Sequence, residues 1–207
     1  MPMARALDKV VIFGATSAMA QETARLLAAR GAELFLVGRD PAKLAAVAAD
    51  AAVRGARRVE TASADLNETA GHAELVRRAR SFLGRVDVVL VAQGVLGDQA
   101  RSEQEASCAE LVLRTNLVAP ALLLQHAAND LAAQGSGTIV AISSVAGDRG
   151  RQSNYFYGAS KGGLSVFLEG LRNRLFRRGV HVVTVKPGFV DTPMTRAFPK
   201  GAGRHGV

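Results

Sequence analysis

The sequence predicts an α/β protein in which helices cover both faces of a doubly wound, three-layer parallel sheet. Short apolar runs recur along the chain, helical segments separate them, and the first run leads through a glycine turn into a helix and a second strand. The predicted strands are Val10–Phe13, Glu33–Val37, Arg58–Ser63, Val86–Val91, Thr138–Ile142 and His181–Lys186. With crossover connections between parallel strands, we expect the strand order 3-2-1-4-5-6.

The composition fits one domain over residues 1–207, since 48% of the residues are hydrophobic. The formal net charge of +8 invites a nucleic-acid or anionic-membrane interpretation. The positive residues are scattered, however, and aromatic residues make up only 5% of the chain, so no nucleic-acid partner is predicted. Cys108 is the single cysteine, which suits a reducing compartment. The first apolar run is too short for a signal peptide or membrane helix, so we expect a cytoplasmic protein without a membrane segment.

The turn after the first strand has the features of a phosphate-binding turn. Gly14-Ala15-Thr16-Ser17 precedes a helix that the sequence predicts over Ala18–Arg30. The amino terminus of such a helix offers free N–H groups and a positive dipole end to a pyrophosphate. A βα turn without any nucleotide is the alternative for this stretch.

The tip of the second strand indicates which dinucleotide is preferred. An acid at this position holds a ribose 2′-hydroxyl, whereas an arginine nearby accommodates a 2′-phosphate. Arg39 follows Gly38 directly, which favours NADP(H) over NAD(H). Asp40 has a separate role, as the cap of a helix predicted over Pro41–Arg54.

Further along the chain, two strands end in residues that suit a ligand crevice. The third strand ends at Ala64-Asp65-Leu66, before a helix predicted over Ala73–Leu83, and the fourth ends at Ala92-Gln93-Gly94, whose small residues allow close approach to the backbone. The longest helical stretch is predicted over Glu103–Gln134. It contains Asn116, a residue that is poor in helices and tends to hydrogen-bond to backbone.

Three side chains near the fifth strand predict proton chemistry. Tyr157 and Lys161 are four residues apart, so on a helix running to Arg178 they share a face. A fixed ammonium beside the phenol favours the phenolate, so we expect Lys161 to lower the pKa of Tyr157. Ser144 follows the fifth strand and points into the crevice at the carboxyl end of the sheet. Together they indicate carbonyl–alcohol chemistry.

Strand–Ser144, Tyr157-x-x-x-Lys161 and the upstream Asn116 resemble the active site of the short-chain dehydrogenase/reductase family, whose fold is Rossmann-like. The resemblance covers about residues 9 to 196. It implies an NADP(H)-dependent oxidoreductase acting on a small carbonyl or secondary alcohol, with catalytic residues Asn116, Ser144, Tyr157 and Lys161 and no metal. Asn116 would open a helix kink that holds a water of the proton relay. The implied cofactor-binding residues are Gly14, Thr16, Ser17, Met19, Arg39, Asp65, Leu66, Ala92, Gln93, Gly94, Tyr157, Lys161, Pro187, Gly188, Val190 and Thr192.

The sequence departs from the family pattern at several positions. Ala18 and Ala20 stand where the phosphate turn usually has glycines, and Gln93 replaces an asparagine. The resemblance also implies a seventh strand and a substrate-covering helix pair, which we expect to be missing because the sequence ends at Val207 after a glycine-rich stretch. Two alternatives stay open. An NADP(H)-binding scaffold would follow if loss of the lid and of the two glycines abolished turnover, and a nucleic-acid- or anionic-lipid-binding module would follow from the charge alone.

The same resemblance extends to assembly and substrate. Family members commonly pair through the two long helices, so we expect a homodimer or homotetramer through Glu103–Gln134 and Tyr157–Arg178. A weaker resemblance, over Val91–Asp98 and Gly147–Lys161, is to the branch that reduces keto-pentoses attached to polyprenyl phosphate.

Overall fold

The sheet is parallel, as the sequence predicts. A computed structural model describes residues 7–196; the glycine-rich stretch after Lys200 lies outside them. Six strands pair in the order β3-β2-β1-β4-β5-β6, so the predicted strand order is confirmed. The strands are β1 (Lys9–Phe13), β2 (Glu33–Gly38), β3 (Arg58–Ser63), β4 (Val88–Val91), β5 (Gly137–Ile142) and β6 (Val180–Val185).

Seven α-helices connect the described strands. They are α1 (Ala18–Ala28), α2 (Pro41–Val53), α3 (His72–Leu83), α4 (Gln99–Gln104), α5 (Ala106–Leu113), α6 (Ala119–Gln134) and α7 (Tyr155–Leu175). The Ser17 hydroxyl caps α1 by accepting from the N–H of Ala20, and the Asp40 carboxylate caps α2 by accepting from two N–H groups. Asp40 therefore has the capping role that the sequence predicts for it.

The long helix predicted over Glu103–Gln134 is wrong at its start and interrupted inside. Glu105 is extended, with φ −122° and ψ 106°, and separates α4 from α5. Residues Arg114–Val118 form a π-helical turn between α5 and α6, in which the N–H of Ala119 bonds to the carbonyl of Arg114. The turn adds a residue to the helix and sets Thr115 and Asn116 in buried positions.

Alternate residues of each central strand belong to two separate apolar clusters, one on each face of the sheet. Val11 and Phe13 pack with residues of α3, α6 and α7, whereas Val10 and Ile12 pack with residues of α1 and α2. The two clusters give the three layers of a doubly wound fold and hold the carboxyl ends of the strands at one edge.

Within the described residues, one helical segment, Ala106–Gln134, is long and apolar enough to cross a membrane by length and composition. The core helix of a globular domain passes the same test, and here Leu123, Leu124 and Leu131 of this segment belong to the core cluster beneath the sheet. Its apolar character is therefore weak evidence for a membrane span.

Candidate active site

Two adjoining cavities run along the carboxyl edge of the sheet. The larger, about 280 Å³, contains Ser144, Tyr157 and Lys161 in its wall, and we call it the Tyr157 cavity. The smaller, about 180 Å³, contains Arg39, and we call it the Arg39 cavity. Both are lined by the same central residues, Thr16, Ser17, Ala92, Gln93 and Gly94. The cavities therefore form one groove that passes over the amino terminus of α1.

The structure brings together every position named above as cofactor-binding. The Tyr157 cavity is lined by Thr16, Ser17, Met19, Ala92, Gln93, Gly94, Tyr157, Lys161, Pro187, Gly188, Val190 and Thr192. The Arg39 cavity adds Gly14, Arg39, Asp65 and Leu66. Of the four predicted catalytic residues, Asn116 alone is not in either lining.

Lys161 is buried beside the aromatic ring of Tyr157. Its side chain is 3% exposed, its Nζ donates to the carbonyl of Ile142 at 2.9 Å, and the same Nζ lies 6.0 Å from the centre of the Tyr157 ring. A Cβ on Gly94 would lie 3.4 Å from this Nζ. Strand β5, the turn after β4 and helix α7 therefore all contribute to the surroundings of one ammonium group.

The direction of the Tyr157 pKa shift is opposite to the expectation that Lys161 lowers it. Burial lowers the pKa of Lys161 from 10.5 to about 8, because desolvation disfavours the charged ammonium. Burial also raises the pKa of Tyr157, although a side-chain hydrogen bond with Ser144 acts in the opposite direction. Desolvation therefore outweighs the hydrogen bond with Ser144, and the pKa of Tyr157 is raised where the sequence predicted that it is lowered.

Asn116 connects the turn after β4 to helix α7. Its Nδ2 donates to the carbonyl of Val95 at 2.8 Å and to Ser160 Oγ at 3.2 Å. Its Oδ1 accepts from the N–H of Val95 at 2.9 Å. The side chain is fully buried, so it holds the backbone next to Gly94 in place, and the water-holding role stays a prediction for its π turn.

The glycine and alanine positions of the phosphate turn are explained by packing. Gly14 has φ +80°, and a Cβ there would lie 2.6 Å from the backbone nitrogen of Gln93, so only glycine fits between β1 and the turn after β4. Ala20, on α1, is fully buried in the apolar cluster between the sheet and helices α1 and α2, whereas Ala18 lines the Tyr157 cavity. The two alanines are accommodated without closing the groove.

Sequence reasoning missed Asn67 and Thr115 in the wall of the Arg39 cavity. Asn67 Nδ2 donates to Thr115 Oγ1 at 3.0 Å, and Gln93 Nε2 donates to the Thr115 carbonyl at 3.1 Å. The amide oxygens of Asn67 and Gln93 are buried without a hydrogen-bond partner. Such oxygens accept hydrogen bonds from hydroxyl or amino groups, which both the ribose and the adenine of a dinucleotide carry, so these walls fit that ligand.

Other lining residues were also missed, although most of them lie directly beside predicted positions. The Tyr157 cavity is also lined by Ala18, Ile142, Ser143, Pro193, Met194 and Thr195, and the Arg39 cavity by Gly38, Ala64 and Val95. Residues 193–195 could have been found from the sequence, because they directly follow the predicted cofactor-binding segment that begins at Pro187.

Comparison with known proteins defines the class to which this groove belongs. The sequence profile of the short chain dehydrogenase family matches residues 8–202. An uncharacterized oxidoreductase of Mycobacterium tuberculosis is 41% identical over 189 residues, which cover 91% of this chain and 76% of that protein. An uncharacterized oxidoreductase of Streptomyces coelicolor is 39% identical over 198 residues, covering 94% of this chain and 76% of that protein.

Solved structures of oxidoreductases have the same fold. Levodione reductase superposes with a TM-score of 0.86 and 31% identity, over 92% of this chain and 75% of that one. An actinorhodin polyketide ketoreductase with NADPH superposes with a TM-score of 0.84 and 29% identity, over 93% of this chain and 74% of that one. The chain belongs to the short-chain dehydrogenase family, a family of oxidoreductases that bind a nicotinamide cofactor.

Proposed function

We propose that the protein is an NADP(H)-dependent oxidoreductase that interconverts a carbonyl compound and a secondary alcohol. The observation that carries this proposal is the continuous groove, with Arg39 at one end and Ser144, Tyr157 and Lys161 at the other. A bound nicotinamide cofactor would supply the hydride, and the protein residues position the reactants and move the proton.

Tyr157 is the proton donor to the carbonyl oxygen during reduction, and the acceptor from the alcohol in the reverse direction. The phenol is protonated at neutral pH, as a donor must be, although burial raises its pKa and so makes it a weaker acid. Ser144, which hydrogen-bonds Tyr157, is close enough to that hydroxyl to bond the same substrate oxygen as negative charge develops on it.

Lys161 is the positive group behind Tyr157. Its Nζ is directed between the carbonyl of Ile142 and the turn at Gly94, and it is in the lining of the Tyr157 cavity, where it would meet the hydroxyls of the nicotinamide ribose. Asn116 keeps that turn in position through its two bonds to Val95 and would hold the relay water near Lys161.

The preference for NADP(H) rests on Arg39. Arg39 is exposed at the end of β2 and lines the Arg39 cavity. The carboxylate of the neighbouring Asp40 is engaged as the N-terminal cap of α2. An arginine is suited to the 2′-phosphate because its guanidinium forms charge-assisted hydrogen bonds with phosphate oxygens.

The same proposal includes a cytoplasmic homodimer or homotetramer. Apolar side chains remain exposed on the two helical regions expected to pair: Leu111, Val118 and Leu122 on the α5–α6 segment, and Val166 on α7. A second copy that covered these faces would remove them from water. Light scattering after size-exclusion chromatography would give the mass of the assembly.

The assignment is tested by replacing Tyr157 with phenylalanine. We expect NADPH binding, measured by fluorescence titration, to be nearly unchanged, while kcat for carbonyl reduction falls by about 100-fold or more. Tyr155→Phe is the matched control, because Tyr155 lies two residues away on the same helix but is 40% exposed and outside both cavities. Full activity of Tyr157→Phe, or an equal loss in both variants, would refute the role of Tyr157.

A further inference from the structure

A third cavity lies on the other side of Tyr157 from the groove. It has a volume of about 230 Å³ and is enclosed by the start of α4, Val112 of α5 and the residues that begin α7. We call it the Asn154 cavity. Tyr157 lines both this cavity and the Tyr157 cavity, so the two spaces meet at this residue. By the volume of liquid water, the Asn154 cavity has room for about eight water-sized groups.

The polar groups of this cavity have unequal hydrogen-bonding capacity. Gln99 uses both ends of its amide: Oε1 accepts from the N–H of Phe156 at 3.4 Å and Nε2 donates to Glu103 at 3.0 Å. The hydroxyl of Ser102 donates to the carbonyl of Asp98 at 2.7 Å. The Gln99 amide and the Ser102 hydroxyl are therefore already bonded to protein groups.

Asn154, in contrast, has an acceptor to spare. Its Oδ1 is buried without a hydrogen-bond partner, and its side chain does not cap α7. The backbone of Asn154 provides the local structure instead, because its carbonyl accepts from the N–H of Gly158 at 2.8 Å. A buried amide oxygen without a partner is unfavourable, and this one makes no hydrogen bond within the protein.

The charge of the wall restricts what could satisfy this oxygen. Among the described residues that line the cavity, Asp98 supplies a carboxylate and there is no lysine or arginine. An anionic group such as a phosphate would meet a carboxylate without a compensating cation. A neutral hydroxyl group, which can donate to the Asn154 oxygen, suits both the charge and the hydrogen bonding of the wall.

The shape of the cavity wall is also fixed by a close contact between two of its segments. Gly97 has φ +74°, and a Cβ there would lie 2.4 Å from Cγ2 of Val112. The segment that follows β4 therefore packs directly on α5, and this close contact keeps the cavity in a defined shape. Ordered walls favour binding because little side-chain entropy is lost when a ligand enters.

We propose that the Asn154 cavity is a substrate subsite that takes an uncharged, hydroxyl-bearing arm of the carbonyl substrate, with Asn154 as the residue that selects it. The inference rests on the proposed function, because it places the reacting carbonyl at Tyr157. It assigns the substrate class as polyhydroxylated carbonyl compounds, in preference to alkyl or phosphorylated ones.

The first experiment compares kcat/KM for D-erythrose, butanal and D-erythrose 4-phosphate with NADPH. We expect wild-type protein to prefer erythrose over both others. Asn154→Leu should reduce the preference for erythrose over butanal by about tenfold, while Asn154→Asp, which keeps an acceptor oxygen, should retain it. A structural defect at Asn154 would lower turnover of butanal as well and would not be rescued by the aspartate. Gln152→Leu, an exposed change two residues away, is the matched control.

An erythrose preference that is the same in wild type and Asn154→Leu would overturn the subsite while leaving carbonyl reduction in place. The second experiment separates the subsite from the reaction. Binding of erythritol, a polyol without a carbonyl, is followed by NMR through the backbone amides of residues 153–156, which are present in every variant. We expect binding to wild type and Gln152→Leu and a loss in Asn154→Leu. If no carbonyl is reduced, the proposed reaction fails and this titration alone decides the subsite; erythritol that leaves these backbone amides unperturbed would overturn it.

Discussion

Replacement of Lys161 by methionine should change how the stability of the ligand-free protein depends on pH. Lys161 is 3% exposed, and its burial lowers its pKa from 10.5 to about 8. A shift of this size corresponds to about 3 kcal/mol of difference between the charged and neutral forms. At pH 7 the folded protein therefore carries the cost of a buried ammonium, offset in part by its 2.9 Å hydrogen bond to the carbonyl of Ile142.

The sign of the pH effect follows from proton binding. The unfolded chain keeps the lysine protonated up to about pH 10.5, whereas the folded protein releases the proton near pH 8. Between these values the unfolded state binds more protons, so the free energy of unfolding of the wild type rises with pH relative to Lys161→Met. We expect a relative gain of about 2–3 kcal/mol between pH 7 and pH 10, and almost none below pH 7.

The assay is urea unfolding of both proteins, followed by circular dichroism at a series of pH values. Lys43→Met is the matched control, because the Lys43 side chain is 75% exposed and its removal leaves the buried site intact. The control accounts for the titration of the remaining lysines and tyrosines. A stability difference between wild type and Lys161→Met that stays constant from pH 7 to pH 10 would refute the desolvation of Lys161.

Three further predictions concern other parts of the chain. Arg39→Ala should raise the Kd of NADPH by about tenfold or more with little change for NADH, and equal losses in fluorescence titrations would count against 2′-phosphate recognition. Gly147→Ala should destabilise the fold by about 1–3 kcal/mol, because its Cβ would lie 2.5 Å from the backbone nitrogen of Gly162. Gly170→Ala, with open space around its Cβ, should instead stabilise the fold by about 0.5–1 kcal/mol. Urea unfolding measures both changes, and equal changes in the free energy of unfolding of the two variants would contradict the packing at Gly147. Burial lowers the pKa of His72 below 6.5, so the wild type should lose stability relative to His72→Gln as the pH falls below about 6.5; Tm values that track each other down to pH 5 would exclude this.

The predictable parts of this protein depend on local spacing and on strand composition. The interval of four residues between Tyr157 and Lys161 brings both into one cavity wall, and Ser144 joins them because it follows a strand of the same parallel sheet. The strand order also follows from the alternation of strands and helices. These features survive changes elsewhere because they require only that each element forms.

The parts that could not be predicted depend on contacts between distant residues. Glu105 is a good helix former in a helical stretch, and no residue type marks it as the extended residue between α4 and α5. The pairing of Asn67 and Gln93 with Thr115 joins residues 48 and 22 positions apart. The raised pKa of Tyr157 depends on how deeply the phenol is buried, a property of the assembled core that spacing alone does not contain.

The π turn at Arg114–Val118 has a consequence for how the long helical segment meets the rest of the protein. A regular α-helix rotates by about 100° at each residue, so one additional residue within a turn offsets the phase of everything that follows it. With that offset, α6 can direct its leucines into the core while Thr115 and Asn116 both stay buried and reach different neighbours. The π turn thus lets one continuous helical segment bury both the leucines of α6 and the pair Thr115 and Asn116. A uniform α-helix of the same sequence would turn one of these two sets away from its neighbours.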